Sequence, residues 1–486
     1  MEYQHKKMQE RFQWTIWAIV FLVFFFSELV EYSMYIDGVW YAVIAQNLSV
    51  GKGTFWLPQF SETIFQNFHE HPPLVFWLQS HFFKLLGNHW FTERVFCLVQ
   101  YMVTALLISY LWTKMFKDRP RIQQWWIMPL LLWQVNLASY YFLPANLLEN
   151  SLVIFDLLSI ILLWKVIEHN HVFFHLLGAA FCLILCFLSK GLVGLFPIGF
   201  LGLYWLIFRS NSIFRIIFQT SLLIMFSLCI LGLLFWWQPL AFESLSNYWD
   251  IQVLASLKGE RRLYFFRDSR FYILGQLALV LLPMIIMVIL NIGMIRFWKK
   301  MDLHIGSFFK SKEGKLIQVF FLIGLSASLP LIVSPRQALP YLLPSIPFFS
   351  LAFGGFAAHL LDDWWQIFMI KRGRFIPVLN KVLGFLVIGV LVLCLTKLKT
   401  PNNRDSDIIN DVEKIGSVIG KNQVISSNHY DMYISGYLMR HNNISLDTLN
   451  HQHLYFITPK NQPLKLNNYE QIDIKTQIFD LYKKGN

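Results

Sequence analysis

Charge is what this sequence has least of. Only 14% of its residues are Asp, Glu, Lys or Arg, against about 25% in an ordinary soluble domain, while 56% are hydrophobic and 17% aromatic, with a positive mean hydropathy. That balance excludes a soluble globular chain and sets the class as a polytopic membrane protein. Cysteine is nearly absent too: Cys97, Cys182, Cys186, Cys229 and Cys394 all lie inside apolar runs with no CxxC spacing. Disulfides and zinc are therefore not indicated, and the thiols read as packed side chains. No small-residue cleavage site follows the first apolar run, WTIWAIVFLVFFFSELV from Trp14 to Val30, so it reads as a retained span and not as a removable signal. There is no internal repeat, low-complexity tract or heptad run.

Long hydrophobic runs are what the chain does have. At about 20 residues per span, they fall near 14–31, 93–114, 125–142, 148–166, 172–188, 191–208, 214–237, 271–295, 316–334, 338–360 and 380–398, which predicts an all-α bundle of about eleven transmembrane helices. The basic stretches at Lys6 to Arg11, Lys114 to Arg121, Arg209 to Arg215, Arg296 to Lys315 and Lys371 to Arg374 share one side when alternate loops are taken. That side is cytoplasmic by the positive-inside rule. The net charge of +12 is thereby explained by topology and anionic headgroups, with no nucleic acid partner needed. One basic loop, KGERRLYFFRDSR from Lys258, falls on the outer side and breaks the trend.

The outer side holds almost every unusual polar residue. Its first loop, 32–92, is expected to be structured: Trp40 to Leu48 has helical spacing, GKG breaks it, and Pro72-Pro73 opens the amphipathic LVFWLQSHFFKLLG, an interfacial helix by length. The organisation read here is a membrane domain over 1–398 and a small extracytoplasmic α/β domain over 399–486. In the latter, DSDIINDVEKIGSVIG has helical periodicity and QVISSN, LYFIT and QIDIKT read as strands. This tail carries no phosphate-binding glycine loop, metal spacing or nucleophile elbow, and reads as a lid or docking surface.

Asp37, in DGVWY a few residues past the first span, reads either as a general base for a lipid-borne substrate or as a solvated, helix-capping aspartate. In HEHPPL, His69 and His71 flank Glu70 at a rigid corner; a metal pair, a phosphate-facing imidazole and a plain turn all fit. Glu149, in PANLLENSL, stands at the outer start of a span, where the helix dipole favours an acid, and Asp156 lies deeper on the same face as either a functional or a hydrogen-bonded structural acid. Lys190 in LSKGLVG and Arg336 in SPRQALPYLLPSIP are cations at outer helix ends. Each alone could snorkel to headgroups. Together with the carboxylates, they suit a substrate whose phosphate is attached to an embedded lipid tail.

In order, WYAVIAQNLSVGKGTFWLPQF, HPPLVFWLQSHFFKLLG with FTERVF, LLENSL, LSKGLVGLFP and RQALPYLLPSIP resemble the membrane glycosyltransferases of the GT-C fold. The branch most similar contains the lipid A aminoarabinose transferase and relatives of the protein O-mannosyltransferases, and the likeness runs through most of 14–360. It implies inverting transfer of a sugar from a polyprenyl-phosphate carrier to a lipid, glycan or protein acceptor, at the outer face of a bacterial cytoplasmic membrane. The family's first acidic position falls on Asp37 and its second on Glu149; a divalent metal is left open, because metal dependence varies in the superfamily. The family has Asp-Glu where this chain has Asp37-Gly38, and Lys before Pro-Pro-Leu where this chain has His71. An imidazole with an ordinary pKa of about 6.5 carries charge only in part near neutrality, which leaves Lys190 and Arg336 to hold more of the donor phosphate. A lipid-linked sugar transporter and a polysaccharide polymerase or ligase are the alternatives.

Overall fold

The computed structural model describes residues 2–168, 171–260, 271–299, 305–372, 375–462 and 468–485. The chain divides into two compact units: one made of Met1–Glu28, Leu98–Pro144 and Leu148–Thr396, the other of Leu29–Cys97, Ala145–Leu147 and Lys397–Asn486.

The first unit is a helical membrane bundle. Among the described residues, nine helical segments are long and apolar enough to cross a bilayer: Lys7–Leu29, Thr92–Met115, Leu148–Glu168, Val172–Phe208, Ile213–Trp237, Tyr272–Met294, Lys312–Val333, Leu339–Asp362 and Ile376–Thr396. The nine segments and the expected runs differ at two places. The run at 125–142 is split into short helices, Ile127–Gln134 and Leu137–Phe142. Asn136 causes the break: its amide donates to the carbonyls of Leu132 and Trp133, while its side-chain oxygen caps the next helix by accepting from the Ser139 N–H. The runs at 172–188 and 191–208 form one helical segment by length, but it reverses at Gly191, where the α-helix Val172–Lys190 gives way to a 3₁₀ stretch, Gly191–Gly199, and then to Phe200–Phe208. A Cβ on Gly194 would lie 2.8 Å from Cys186 Cβ and 2.4 Å from Leu152, so this return arm packs back against its own hairpin. Small residues permit such close backbone approach where no hydrophobic drive exists between helices.

The deep acid at Asp156 is fully buried and accepts a hydrogen bond from the Cys186 thiol at 3.2 Å. That gives it a structural partner between two tightly packed helices. The cysteines are free thiols, four buried and Cys229 exposed. Residues 261–270, which hold most of the anomalous basic loop, lie outside the described residues.

The second unit combines the first long loop with the tail. Ile36–Ser49 and Leu74–Leu86 are helices, as the spacing predicts, the first ending before Gly51 and Gly53 and the second opening after Pro72-Pro73. The tail adds the helices Ser406–Ile419 and Met432–Asn442 and five strands: β1 (Val424–Ser427), β2 (Ser445–Asp447), β3 (Tyr455–Pro459), β4 (Tyr469–Ile472) and β5 (Phe479–Lys484). The sheet order is β2-β1-β3-β5-β4, with β1 parallel to β2 and β3 and β5 antiparallel to β3 and β4. Loop and tail interlock through aromatic, hydrogen-bonded and ionic contacts. Trp40 stacks on Phe60 at 3.7 Å and donates its indole N–H to the Met432 carbonyl at 3.0 Å. Tyr437 bonds Asp405 at 2.8 Å, and Arg440 forms a two-pronged ion pair with Glu93, at 2.6 and 3.3 Å.

Candidate functional site

In the membrane unit, packing of Leu148–Glu168 against Val172–Lys190 brings two of the candidate residues together. Glu149, in the first turn of one helix, is 1% exposed and pairs through Oε1 with the ammonium of Lys190, the last residue of the other, which is 9% exposed. Their meeting follows from geometry, since the start of one helix of an antiparallel pair faces the end of its neighbour. The second carboxylate oxygen of Glu149 has no hydrogen-bond partner among the described residues. Lys190 Nζ also stands 5.2 Å from the centre of the Tyr341 ring, a cation–π contact. The backbone around Lys190 is held as well: its carbonyl accepts from the Tyr248 hydroxyl at 3.4 Å. Burial pushes the Tyr248 hydroxyl above the ordinary phenol range, so it stays a donor. Gly191 adopts φ +79°, and a Cβ there would lie 2.0 Å from the Tyr248 oxygen. Only glycine satisfies both the left-handed turn and the close tyrosine.

Arg336 sits half-buried in the turn before the 3₁₀ stretch Leu339–Ser345 that carries Tyr341. Ser334 shapes this turn, bonding both the N–H and the carbonyl of Arg336, and the guanidinium Nε is buried with no hydrogen-bond partner among the described residues. A buried donor left open is a group that an anion could satisfy.

In the second unit, Asp37 is the second residue of helix Ile36–Ser49 and is half-buried, where the helix dipole favours negative charge. Its neighbourhood includes Tyr433, whose hydroxyl is pushed up by burial first, with Asp37 among the carboxylates acting in the same direction. One turn on, Tyr41 is buried and its ring meets the His71 imidazole edge to face at 5.7 Å. Asp37 and His71 therefore flank one aromatic residue within a single unit. Among the described residues no three His, Cys, Asp or Glu side chains gather as a metal site requires.

The departure at Gly38 has a steric reason. A Cβ there would lie 1.9 Å from the Ala145 carbonyl oxygen and 2.8 Å from the Met34 sulfur, so the glutamate that the resembled family carries has no room. The same segment is tied down by Asn146, in the left-handed region at φ +56°, whose amide donates to the Gly38 carbonyl at 2.9 Å and accepts from Gln79 at 3.0 Å. We expect Gly38→Ala to cost about 1–3 kcal/mol through forced backbone displacement. Because the shift falls beside Asp37, activity should drop in parallel with melting temperature; an unchanged melting curve would show that the Ala145 backbone yields freely. Sequence reasoning passed over Asn146, Tyr248 and Tyr341. Asn146 and Tyr341 stand inside quoted motifs, PANLLENSL and RQALPYLLPSIP, while nothing in the sequence marks Tyr248.

A helical membrane bundle with a structured first loop and a small sheet-bearing tail is the architecture of the GT-C fold, and the chain has that fold. The resemblance read from the motifs holds at this level. Residues 70–236, about a third of the chain, match the family model described as dolichyl-phosphate-mannose-protein mannosyltransferase. Among solved structures, ArnT from Cupriavidus metallidurans in the apo state aligns over 96% of this chain and 97% of its own, with a TM-score of 0.62 at 14% identity. The same ArnT bound to undecaprenyl phosphate aligns over 96% of both chains, with a TM-score of 0.63 at 13% identity. The apo oligosaccharyltransferase of Archaeoglobus fulgidus aligns over 93% of this chain and 65% of its own, with a TM-score of 0.54 at 10% identity. The curated proteins contain no match to this sequence.

Proposed function

We propose that this protein is an inverting glycosyltransferase that moves a sugar from a polyprenyl-phosphate carrier to a lipid, glycan or protein acceptor at the outer face of a bacterial cytoplasmic membrane. The observation that carries this is the end-to-end likeness of fold to ArnT, which has been solved with undecaprenyl phosphate bound. The outward assignment of Asp37, Glu149, Lys190, Arg336 and the tail rests on the distribution of Lys and Arg among the loops.

In the proposed reaction an acceptor hydroxyl or amine attacks the anomeric carbon from the side opposite the phosphate. The new glycosidic bond forms, the carbon–oxygen bond to the phosphate breaks, and polyprenyl phosphate leaves with the electron pair. The acceptor's proton passes to the Asp37 carboxylate, a general base set at a helix N-terminus. In the first unit Arg336, with its open buried donor, and Lys190 are the cations assigned to the negative charge that grows on the leaving phosphate; in the second unit His71 is assigned the same role when protonated. Glu149 holds Lys190 in place, and its unbonded oxygen is a ready acceptor for a sugar hydroxyl. Mass spectrometry of envelope lipids, glycans and proteins from cells with and without the gene tests the proposal. One glycan modification should vanish in the deletion while its polyprenyl-phosphate sugar donor accumulates. Identical envelopes under conditions in which the protein is made would contradict it.

A further inference from the structure

A polar cavity of about 240 Å³ lies wholly within the second unit and takes no residue from the candidate site. Its lining includes Tyr32, Glu93, Lys399, Lys421, Arg440 and His441, three positive charges against one negative. Glu93 is already committed to Arg440, which also donates to Asn88 Oδ1 and to the His89 carbonyl at 2.7 Å. The buried pair forms a fixed floor. Lys399 and Lys421 make no ion pair among the described residues, and both are exposed. Lys399 Nζ stands 5.7 Å from the centre of the Tyr32 ring, and Tyr32 in turn shares a 3.2 Å hydrogen bond with His441 Nδ1. The positive potential registers on His441, whose imidazole is pushed down to about 3 by burial and then by Arg440, Arg94 and Lys399 around it. That ring stays neutral, so the two free ammonium groups are the groups left to meet an anion.

Three of the lining residues lie within three positions of a span end in sequence. Tyr32 follows the helix ending at Leu29 by three residues, Lys399 follows the helix ending at Thr396 by three, and Trp90 precedes the helix starting at Thr92 by two. Three residues reach only about 10 Å even when extended, which keeps these groups near headgroup depth. Two unpaired lysines in a polar hollow at that depth match a phosphate carried by a lipid. We propose that this cavity binds the phosphate of an anionic membrane lipid, at a site sharing no residue with the Glu149–Lys190 pair. This is independent of the glycosyl-transfer proposal and survives or fails without it.

The test uses the full chain purified in detergent and titrated with phosphatidylglycerol, with retained lipid read by native mass spectrometry. Phosphatidylcholine is the zwitterionic comparison and glucose 1-phosphate the soluble competitor. Each lost charge-assisted contact should weaken binding about tenfold, so Lys399→Glu/Lys421→Glu is expected to abolish retention of phosphatidylglycerol and Lys399→Gln/Lys421→Gln to reduce it by about a hundredfold. The control Lys84→Glu/Lys483→Glu, which reverses two exposed lysines outside the cavity, should leave it unchanged. Melting curves matching wild type establish that the cavity variants fold, as expected for substitutions at exposed positions. Equal losses in cavity and control variants, or no loss in either, overturn the proposal. Displacement of the lipid by glucose 1-phosphate at equal concentration overturns the lipid assignment and makes the ligand a soluble phosphosugar.

Discussion

Asp37→Asn is expected to leave the protein folded and the donor bound while sugar transfer falls to about one percent of wild type or less, because general-base contributions run to about 10²–10⁴ in rate. Asparagine keeps the size and one carbonyl oxygen of aspartate but cannot accept the acceptor's proton. Asp37 opens a helix and is half-buried, so the isosteric change disturbs little packing. Asp37→Glu should recover activity only in part, since an added methylene moves the carboxylate by about 1 Å and catalytic geometry is sensitive at that scale. Gly38 sharpens this expectation: with Ala145 already against it, the backbone cannot retreat to accommodate a longer neighbour. The measurement is transfer from a labelled polyprenyl-phosphate sugar in nanodiscs. Normal turnover by Asp37→Asn, together with a dead Glu149→Gln, would move the base to Glu149.

Lys190→Ala is expected to damage the fold and the activity together. It leaves the carboxylate of Glu149, 1% exposed, without its cation, and breaking a buried pair from one side costs about 3–5 kcal/mol. Yield and melting temperature should both fall. Replacing both partners by apolar residues, as in Lys190→Met/Glu149→Leu, removes the uncompensated charge and should restore much of the stability. Transfer should stay lost in that double variant, because no cation remains at the position. Restored folding without restored turnover separates the functional role of the pair from its structural one; restored turnover would make the pair a structural element only. Arg336→Ala is the contrast: its half-buried side chain has no ion pair among the described residues, so stability should hold while transfer falls about tenfold to a hundredfold, the value of a charged contact to phosphate of about 1.5–3 kcal/mol.

The contrast between these two cations shows where sequence reading stopped. Apolar runs of span length are local, and nearly all of them became helices of the expected extent. The helix break within 125–142 comes from one polar residue, Asn136, whose side chain outcompetes the helix for backbone bonds. In the tail, the helix at Ser406–Ile419 and the strands at Val424–Ser427 and Tyr455–Pro459 were legible from periodicity. Only Gln471 and Ile472 of QIDIKT lie in a strand, because Asp473 turns the chain by accepting from the Lys475 N–H. The final strand, Phe479–Lys484, and the mixed order of the sheet depend on pairings between distant residues, which periodicity does not encode. The same holds at the candidate site. Lys190 looked like a free outer cation, and its commitment to Glu149, 41 residues away, exists only once two helices are packed. Gly38 looked like a weakened motif, yet the Ala145 carbonyl explains it.

The most direct measurement follows a polyprenyl-phosphate sugar, radiolabelled in the sugar, after incubation with the purified protein in nanodiscs and a crude envelope extract as the source of acceptor. The expected result is release of unglycosylated polyprenyl phosphate matched by label on one acceptor with inverted anomeric configuration, and neither with Asp37→Asn. A donor that stays intact while crossing the bilayer in proteoliposomes would contradict glycosyl transfer and make this chain a carrier of lipid-linked sugar.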